Sequence, residues 1–359
     1  MRAETDNLLR VLASSDEAER LYAVQDLAEM RDPDSVNPLV QTLVAEESRV
    51  IRDAIVFGLR NMPCFKAYDS LFDLFCSSDA YLRNAAITIF GSREDGATAF
   101  LASHLDHSDR EVRKLIIDAL FQIGSSDAVL AIRACLHDTA PNVQITAVEY
   151  LGRLCDEASL EEMLEIFNAK SEPMLRTSLL ESFSLMGDSA PFPEVLAVLA
   201  PDDDFSRIDP VYIPQILDLA CRVGSPEQLR RLINSIEETS VYADDIMRAV
   251  SHAKSRHKDL FLSEEIFRKI VRIAGDRQVR EDVRYAAVGC ILGRDCGLSG
   301  NEALYFLGIQ LASEESMVYA GVKILSCCGG DRGERRIRSI LKDTKDEELR
   351  ALCLELVGE

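Results

Sequence analysis

One phrase recurs through this chain and restricts its fold more than any other feature. It reads REVRKLIIDALFQIG at 110–124, YLRNAAITIFG at 81–91, NVQITAVEYLG at 142–152 and EELRALCLELVG at 347–358. Take Arg113 as the reference. Apolar residues fall one place before it and three, four, six, seven and ten places after it: Val112, Ile116, Ile117, Ala119, Leu120 and Ile123. That spacing gathers them on one stripe of an α-helix. Gly124 follows, a residue suited to the left-handed conformation that ends a helix.

The counterparts of Arg113 are Arg20, Arg52, Arg83, Gln144, Arg176, Ile213, Ala243, Arg284, Val318 and Arg350, at intervals of 30 to 41 residues. Eleven units therefore tile the chain, the first six and the last being regular. Ile213, Ala243 and Val318 replace the Arg, and the apolar pattern alone places them. A second apolar-periodic segment precedes each phrase, as in SVNPLVQTLVAEE (35–47), KAYDSLFDLFCSS (66–78) and SLEEMLEIFNAKS (159–171). A short polar link joins the two. Asp79, Asp109 and Asp346 stand four residues before the aligned Arg, where a helix N-cap belongs. Each unit is thus helix, tight turn, helix, and no segment shows the period of a strand. One such hairpin cannot bury both of its faces, so the copies must stack on one another.

Composition agrees. Hydrophobic residues make up 47% of the 359 residues, aromatics only 6%, and Trp is absent. That favours an aliphatic helical core over a β-sandwich. Net charge is −21, and residues 1–187 hold 17 Lys and Arg against 31 Asp and Glu. No cluster of Lys and Arg stands out, the most basic stretch being SHAKSRHKDLF (251–261). The balance argues against nucleic acid and anionic membrane as partners. The ten Cys form no CxxC pair, the N-terminal MRAETDNLLRVL has charges where a signal peptide needs an apolar run, and no apolar stretch reaches membrane-spanning length. A reducing, cytoplasmic location is expected.

The segments VRKLIIDALFQIG, LRNAAITIFG, VRYAAVGCIL and LRALCLELVG resemble the second helix of HEAT repeats. They are most similar to the short type found in phycobilisome-lyase-like repeats. The family pattern is an apolar residue, an Arg, two variable positions, two small or apolar positions, then Ala-Leu and a closing Gly. The period here is shorter than the ~40–47 residues of standard HEAT and armadillo units, and neither ankyrin TPLH nor tetratricopeptide W-x-x-L-G occurs. The resemblance implies an all-α, right-handed α-solenoid of about eleven helical hairpins. Residues 1–187 would hold regular repeats 1–6, and 188–359 less regular repeats 7–11 continuous with them. The aligned Arg is expected to pair with a cap carboxylate and so hold the stack together. Such repeats fix a fold and leave function open. The stretches 187–212 and 252–282 exceed the length a repeat needs and map to loops.

A search for chemistry returns little. His104, His107, His137, His252 and His257 are never followed by Glu. That removes the HExxH motif and the His-Glu pairs that deoxyhypusine hydroxylase, a di-iron enzyme on HEAT repeats, requires. His104 and His107 could offer two nitrogens on one helix face, with Asp106 and Asp109 the only other local ligands, and the segment reads as an ordinary helix end and not a zinc site. There is no phosphate loop and no nucleophile elbow. Cys327-Cys328-Gly329-Gly330 reads as the close of a helix, with a reactive thiol there as the lesser reading. A DNA glycosylase on similar repeats would need a basic, aromatic-studded groove. No catalytic residue, metal or cofactor is assigned, and an enzyme is not expected.

The remaining signal lies five residues after each aligned position, where the side chain should point away from the core. Asp118, Glu149, Glu181 and Asp218 occupy it in four consecutive repeats, Arg248 and Lys323 farther on. Neighbouring helices pack about 10 Å apart, so these carboxylates form a ladder and not a catalytic pair. In HEAT-like solenoids the second helices line the inner face. Tyr22, Phe57, Tyr285 and Tyr319 also fall outside the core stripe and would add apolar contacts. The expectation is a protein-binding scaffold that takes a partner on this face, possessing affinity for a basic segment. The alternative implied by the resemblance is a bilin lyase or isomerase, with an acid such as Asp118 or Glu149.

Overall fold

A carboxylate at the hairpin turn starts several of the second helices. The Asp79 and Asp109 carboxylates accept the N–H groups of Tyr81 and Glu111 at 2.8 Å, and Asp346 accepts those of Glu348 and Leu349 at 3.0 Å. These bonds satisfy first-turn donors that the helix itself cannot. At the other end Gly124 adopts φ 64°, and its N–H returns to the Leu120 carbonyl.

The computed structural model describes residues 2–93, 96–169, 172–188, 190–237, 239–256, 264–293, 301–328 and 330–358. No strand occurs among them. They form two compact units, Met1–Met186 and Gly187–Glu359. In the first, α1 (Arg2–Val11) pairs with α2 (Glu17–Met30), α3 (Val36–Ala45) with α4 (Arg49–Asn61), and α5 (Tyr68–Phe72) with α6 (Ala80–Phe90). Then α7 (Ala97–Ala102) pairs with α8 (Arg110–Ile123), α9 (Ser126–Ala134) with α10 (Pro141–Arg153), and α11 (Leu160–Asn168) with α12 (Pro173–Met186).

In the second unit, α13 (Phe192–Leu199) pairs with α14 (Ile213–Val223), and α15 (Pro226–Ser235) with α16 (Ala243–Arg256). The hairpins α17 (Glu264–Gly275) with α18 (Glu281–Leu292), α19 (Glu302–Ala312) with α20 (Val318–Cys328), and α21 (Gly330–Asp343) with α22 (Glu347–Val357) complete it. Eleven hairpins are thus traced among the described residues, with an aligned position on every second helix. The fold is an all-α solenoid.

Within the first unit α2 packs on α4, α4 on α6, α6 on α8, α8 on α10 and α10 on α12. The stripe expected from sequence is the one buried: Val112, Ile116, Ile117, Ala119 and Leu120 are at most 3% exposed. Ile123 is only half-buried at the helix end. Backbone approach is close where small residues meet. A Cβ added at Gly152 would lie 2.6 Å from the Ser182 side chain, and one added at Gly58 would lie 2.8 Å from the Ala28 Cβ.

Four of the aligned arginines, Arg20, Arg52, Arg113 and Arg284, join successive repeats. Arg113 donates from Nε and Nη2 to both Asp138 carboxylate oxygens at 2.7 Å, and from Nη1 to the His107 carbonyl at 2.7 Å. Arg20 does the same with Glu46 (2.9 and 3.1 Å) and the Ser14 carbonyl (3.0 Å). Arg52 reaches Asp79 at 2.9 Å, and Arg284 lies 2.8 Å from Glu314. In each case the guanidinium reaches the turn of the following repeat. Asp79 is itself an N-cap; Glu46 and Asp138 stand two residues before one, and Glu314 precedes a 3₁₀ turn (Glu315–Met317). Planar bidentate geometry explains why Arg recurs there. Where Gln144 replaces Arg, its amide donates to the Leu136 carbonyl at 3.0 Å.

The long stretch 187–212 is not an open loop. After α13 it makes three 3₁₀ turns, Pro201–Asp203, Phe205–Arg207 and Pro210–Tyr212, and buries Phe205, Ile208 and Tyr212. Of the stretch 252–282, residues 257–263, with His257, lie outside the described residues.

Candidate protein-interaction surface

The aligned position lies at the turn end of each second helix, so the position five residues later sits more than one helical turn away. Asp118, Glu149 and Glu181 occupy it on α8, α10 and α12, which pack side by side. Asp118 and Glu149 are half-buried and Glu181 is exposed. Asp218 is exposed on α14, in the second unit.

Two aromatic residues that sequence reasoning passed over lie between the carboxylates of α8 and α10. The Tyr150 hydroxyl donates to Asp118 at 2.5 Å, and its ring stacks on Phe121 with centroids 4.1 Å apart. Arg153 stands 5.7 Å from the Tyr150 ring. Burial, together with the bond to Asp118, pushes the phenol well above its ordinary pKa, so it stays a donor. Tyr150 follows Glu149 directly and Phe121 follows the buried Leu120, so both sit on the flanks of the core stripe. Their mutual contact, across two repeats, has no signature within either one.

The other expected contacts divide. Tyr22 (65% exposed) and Phe57 (67%) stand out from α2 and α4. Phe57 borders a groove of about 520 Å³ between these helices, lined also by Gln25, Ala28, Glu29, Ala54, Gly58 and Asn61. Tyr285 and Tyr319 instead tie repeats together. The Tyr285 hydroxyl donates to the Ser316 carbonyl, and Tyr319 donates to Asp346 at 2.8 Å. The Asp346 carboxylate pushes the Tyr319 phenol up to about 12. Asp218 and Arg248 line one groove of about 240 Å³ with Arg222, Asp245 and His252. Their charges are engaged locally: Asp218 pairs with Arg222 at 3.2 Å, and Arg248 with Asp245 and with Asp244 at 3.8 Å.

Among the described residues no group of three or more His, Cys, Asp or Glu is placed to hold a metal ion. His104 and His107 pack on an aromatic cluster, His104 lying 4.4 Å from the Phe72 ring and 4.5 Å from Phe100. His107 Nδ1 accepts the Asp109 N–H at 3.1 Å, a turn contact like that of Ser77 with Asp79. Burial pushes the Cys135 and Cys221 thiols up to about 12, away from thiolate chemistry. Cys327 is exposed; the Cys328 side chain and Gly329 lie outside the described residues. One basic run escaped the sequence reading. Residues 332–345 hold six Lys and Arg against two acids, denser than 251–261 with three. Acids at helical spacing disguise it, and Arg338 pairs with Glu334 at 2.9 Å.

A family model described as HEAT repeats matches residues 5–91 and 98–184. These matched residues are HEAT repeats. Solved structures extend the fold beyond the matched residues. The karyopherin Kap121p bound to the extreme C-terminus of the protein phosphatase Cdc14p is 10% identical, with a TM-score of 0.54 over 99% of this chain and 50% of that one. Kap95p, in a structure with RanGDP, is 15% identical, with a TM-score of 0.51 over 99% and 58%. The chain thus spans about half the length of the karyopherins it matches. The CpcE–CpcF complex of phycocyanin lyase from Nostoc sp. PCC7120 is 20% identical over 64% of this chain and 92% of that one, with a TM-score of 0.28. No curated protein matches the sequence. No helix among the described residues is long and apolar enough to cross a membrane.

Proposed function

We propose that this chain is a non-catalytic scaffold of the cytoplasm that captures a basic segment of another protein on the second-helix face of its first unit. The observation that carries the reading is the alignment of Asp118, Glu149 and Glu181 on three helices packed in succession, all reachable by solvent. Carboxylates in file attract cations over a length that suits an extended segment, and they act on association rate and specificity more than on raw affinity. The first unit's excess of acids deepens that field. Both karyopherin structures are complexes with protein partners, which supports protein binding as a use of this fold. Among the described residues eight cysteines are free, four of them buried, which suits a reducing compartment.

The test is affinity purification with the native chain, identification of the bound protein by mass spectrometry, and titration of that partner at several salt concentrations. Glu149→Lys with Glu181→Lys should weaken capture and flatten its salt dependence. Equal binding by the reversed chain would leave the carboxylates as solvated surface. Incubation with bilin or haem separates the enzyme alternative: a new visible spectrum would favour a chromophore lyase.

A further inference from the structure

We infer that the partner segment seats one bulky apolar side chain in the groove between α2 and α4 and carries its basic residues some six to nine positions away along the chain. This rests on the reading above and adds to it the form of the ligand. The groove exists because small residues let two helices approach. Ala28 and Gly58 meet so closely that a Cβ at Gly58 would lie 2.8 Å from the Ala28 Cβ. The Ala28 and Ala54 methyl groups, with the bare Gly58 backbone, leave an apolar floor in a space of about 520 Å³. That size falls in the ~300–1,000 Å³ range of ligand clefts. Gln25, Glu29 and Asn61 stand around its rim, while the floor itself and the Phe57 ring are apolar, so an apolar side chain is favoured at the bottom of the groove.

Phe57 forms one wall, with 67% of its surface exposed. An exposed ring alone means little. Here it borders a groove on the helix layer that also presents the carboxylates. Glu29 on the opposite wall extends the acidic character to the groove itself. From α4 the packing runs through α6 to α8 and α10. At about 10 Å per helix, Asp118 and Glu149 lie roughly 20 and 30 Å from the Phe57 position. An extended chain covers about 3.3 Å per residue, which gives the spacing of roughly six to nine residues. Over the intervening α6 the outward residues are neutral, among them Asn84 and Thr88, so the connecting residues need no particular chemistry.

Fluorescein-labelled synthetic peptides test this. Each carries one Phe and a Lys-Lys-Lys run, in either order, separated by two, seven or twelve Gly/Ser residues, and binding is read by anisotropy. In one order, the seven-residue spacer should bind about fivefold or more tighter than the two-residue spacer, which cannot reach the carboxylates. Phe57→Ala, and separately Ala54→Leu, which fills the groove, should erase that preference, with circular dichroism confirming that both variants fold. Equal affinity for the three spacers, or a preference that survives both variants, overturns the anchor. If Glu149→Lys with Glu181→Lys still abolishes peptide binding in that case, the anchor fails and the acidic surface stands. If neither set of substitutions matters, both fail.

Discussion

Replacing Arg113 by alanine should loosen the fourth repeat from the fifth. Its guanidinium and the Asp138 carboxylate are each 9% exposed and share two hydrogen bonds of 2.7 Å, with a third to the His107 carbonyl. Hydrogen bonds to charged groups contribute about 1.5–3 kcal/mol, and removing one member of a fully buried pair costs about 3–5 kcal/mol. The pair sits at a hairpin turn, one helix layer from solvent, so the lower figures apply. We expect about 2–3 kcal/mol for Arg113→Ala, and a coupling of about 1–2 kcal/mol with Asp138→Ala in a double-mutant cycle. With no Trp in the chain, urea unfolding is best followed by far-ultraviolet circular dichroism. Stacked repeats can unfold piecemeal, so hydrogen exchange should accompany it. Protection should fall first in α8, α9 and α10. Arg83 supplies the control, since it donates to the Ser77 and Ser78 carbonyls at 2.7 and 3.0 Å. A loss below about 0.5 kcal/mol for Arg113→Ala, or an additive cycle, would refute the stapling argument.

Gly152→Ala should destabilise by about 1–3 kcal/mol in the same assay, because its Cβ would meet Ser182 at 2.6 Å. Gly289→Ala should stabilise by roughly 0.5–1 kcal/mol, since that helical position faces open space and alanine restricts the unfolded chain. Acid should weaken the stack. The Arg20 hydrogen bond holds Glu46 below its ordinary pKa, and the Tyr81 N–H with Arg52 does so for Asp79. At Asp138 burial pulls the pKa up, but the bonds from Arg113 and the Ala140 N–H outweigh it. Unfolded carboxylates titrate near 3.9–4.3, so below that range the unfolded chain binds more protons. The stabilisation is complete above it and is lost as pH falls through the lowered values. Urea midpoints should therefore drop between about pH 4 and 3, and by less in Asp138→Asn.

Much of the fold was legible because stacking repeats a physical demand. Val112, Ile116 and Leu120 had to recur at helical spacing, Asp79, Asp109 and Asp346 had to supply caps, and Gly124 had to take φ 64°. Ile213, Ala243 and Val318, which lack the Arg, still fall on second helices, because apolar spacing carries the register without it. What lay between repeats was less legible. The stacking of Phe121 on Tyr150 joins residues 29 apart, and the hydroxyl contacts of Tyr285 and Tyr319 reach the following repeat. A pattern read within one unit assigns each of those tyrosines to solvent. The ion pairs of Asp218 and Arg248 were hidden for the opposite reason. Arg222, Asp244 and Asp245 lie within a helical turn of them, but on faces that the five-residue offset does not sample.

Stability and recognition use different ends of the same helix. The Arg staple and the cap carboxylate lie at its start, and both are consumed: Arg113, Asp138 and the His107 carbonyl satisfy one another. The position five residues later takes no part in that network, and its occupants run from Gln25 and Phe57 through Asp118, Glu149 and Glu181 to Gly289. Stacking imposes no residue type there, so side chains can change without loss of fold. A run of three carboxylates at a position where stacking sets no residue type, even though Asp118 also accepts the Tyr150 hydroxyl, therefore carries more functional weight than the conspicuous arginines, whose recurrence is explained by packing. The same separation predicts how variants should sort. Substitutions at Glu149 or Glu181 should alter partner capture with little change in urea midpoint, and those at Arg20 or Arg113 should do the reverse until the repeats come apart.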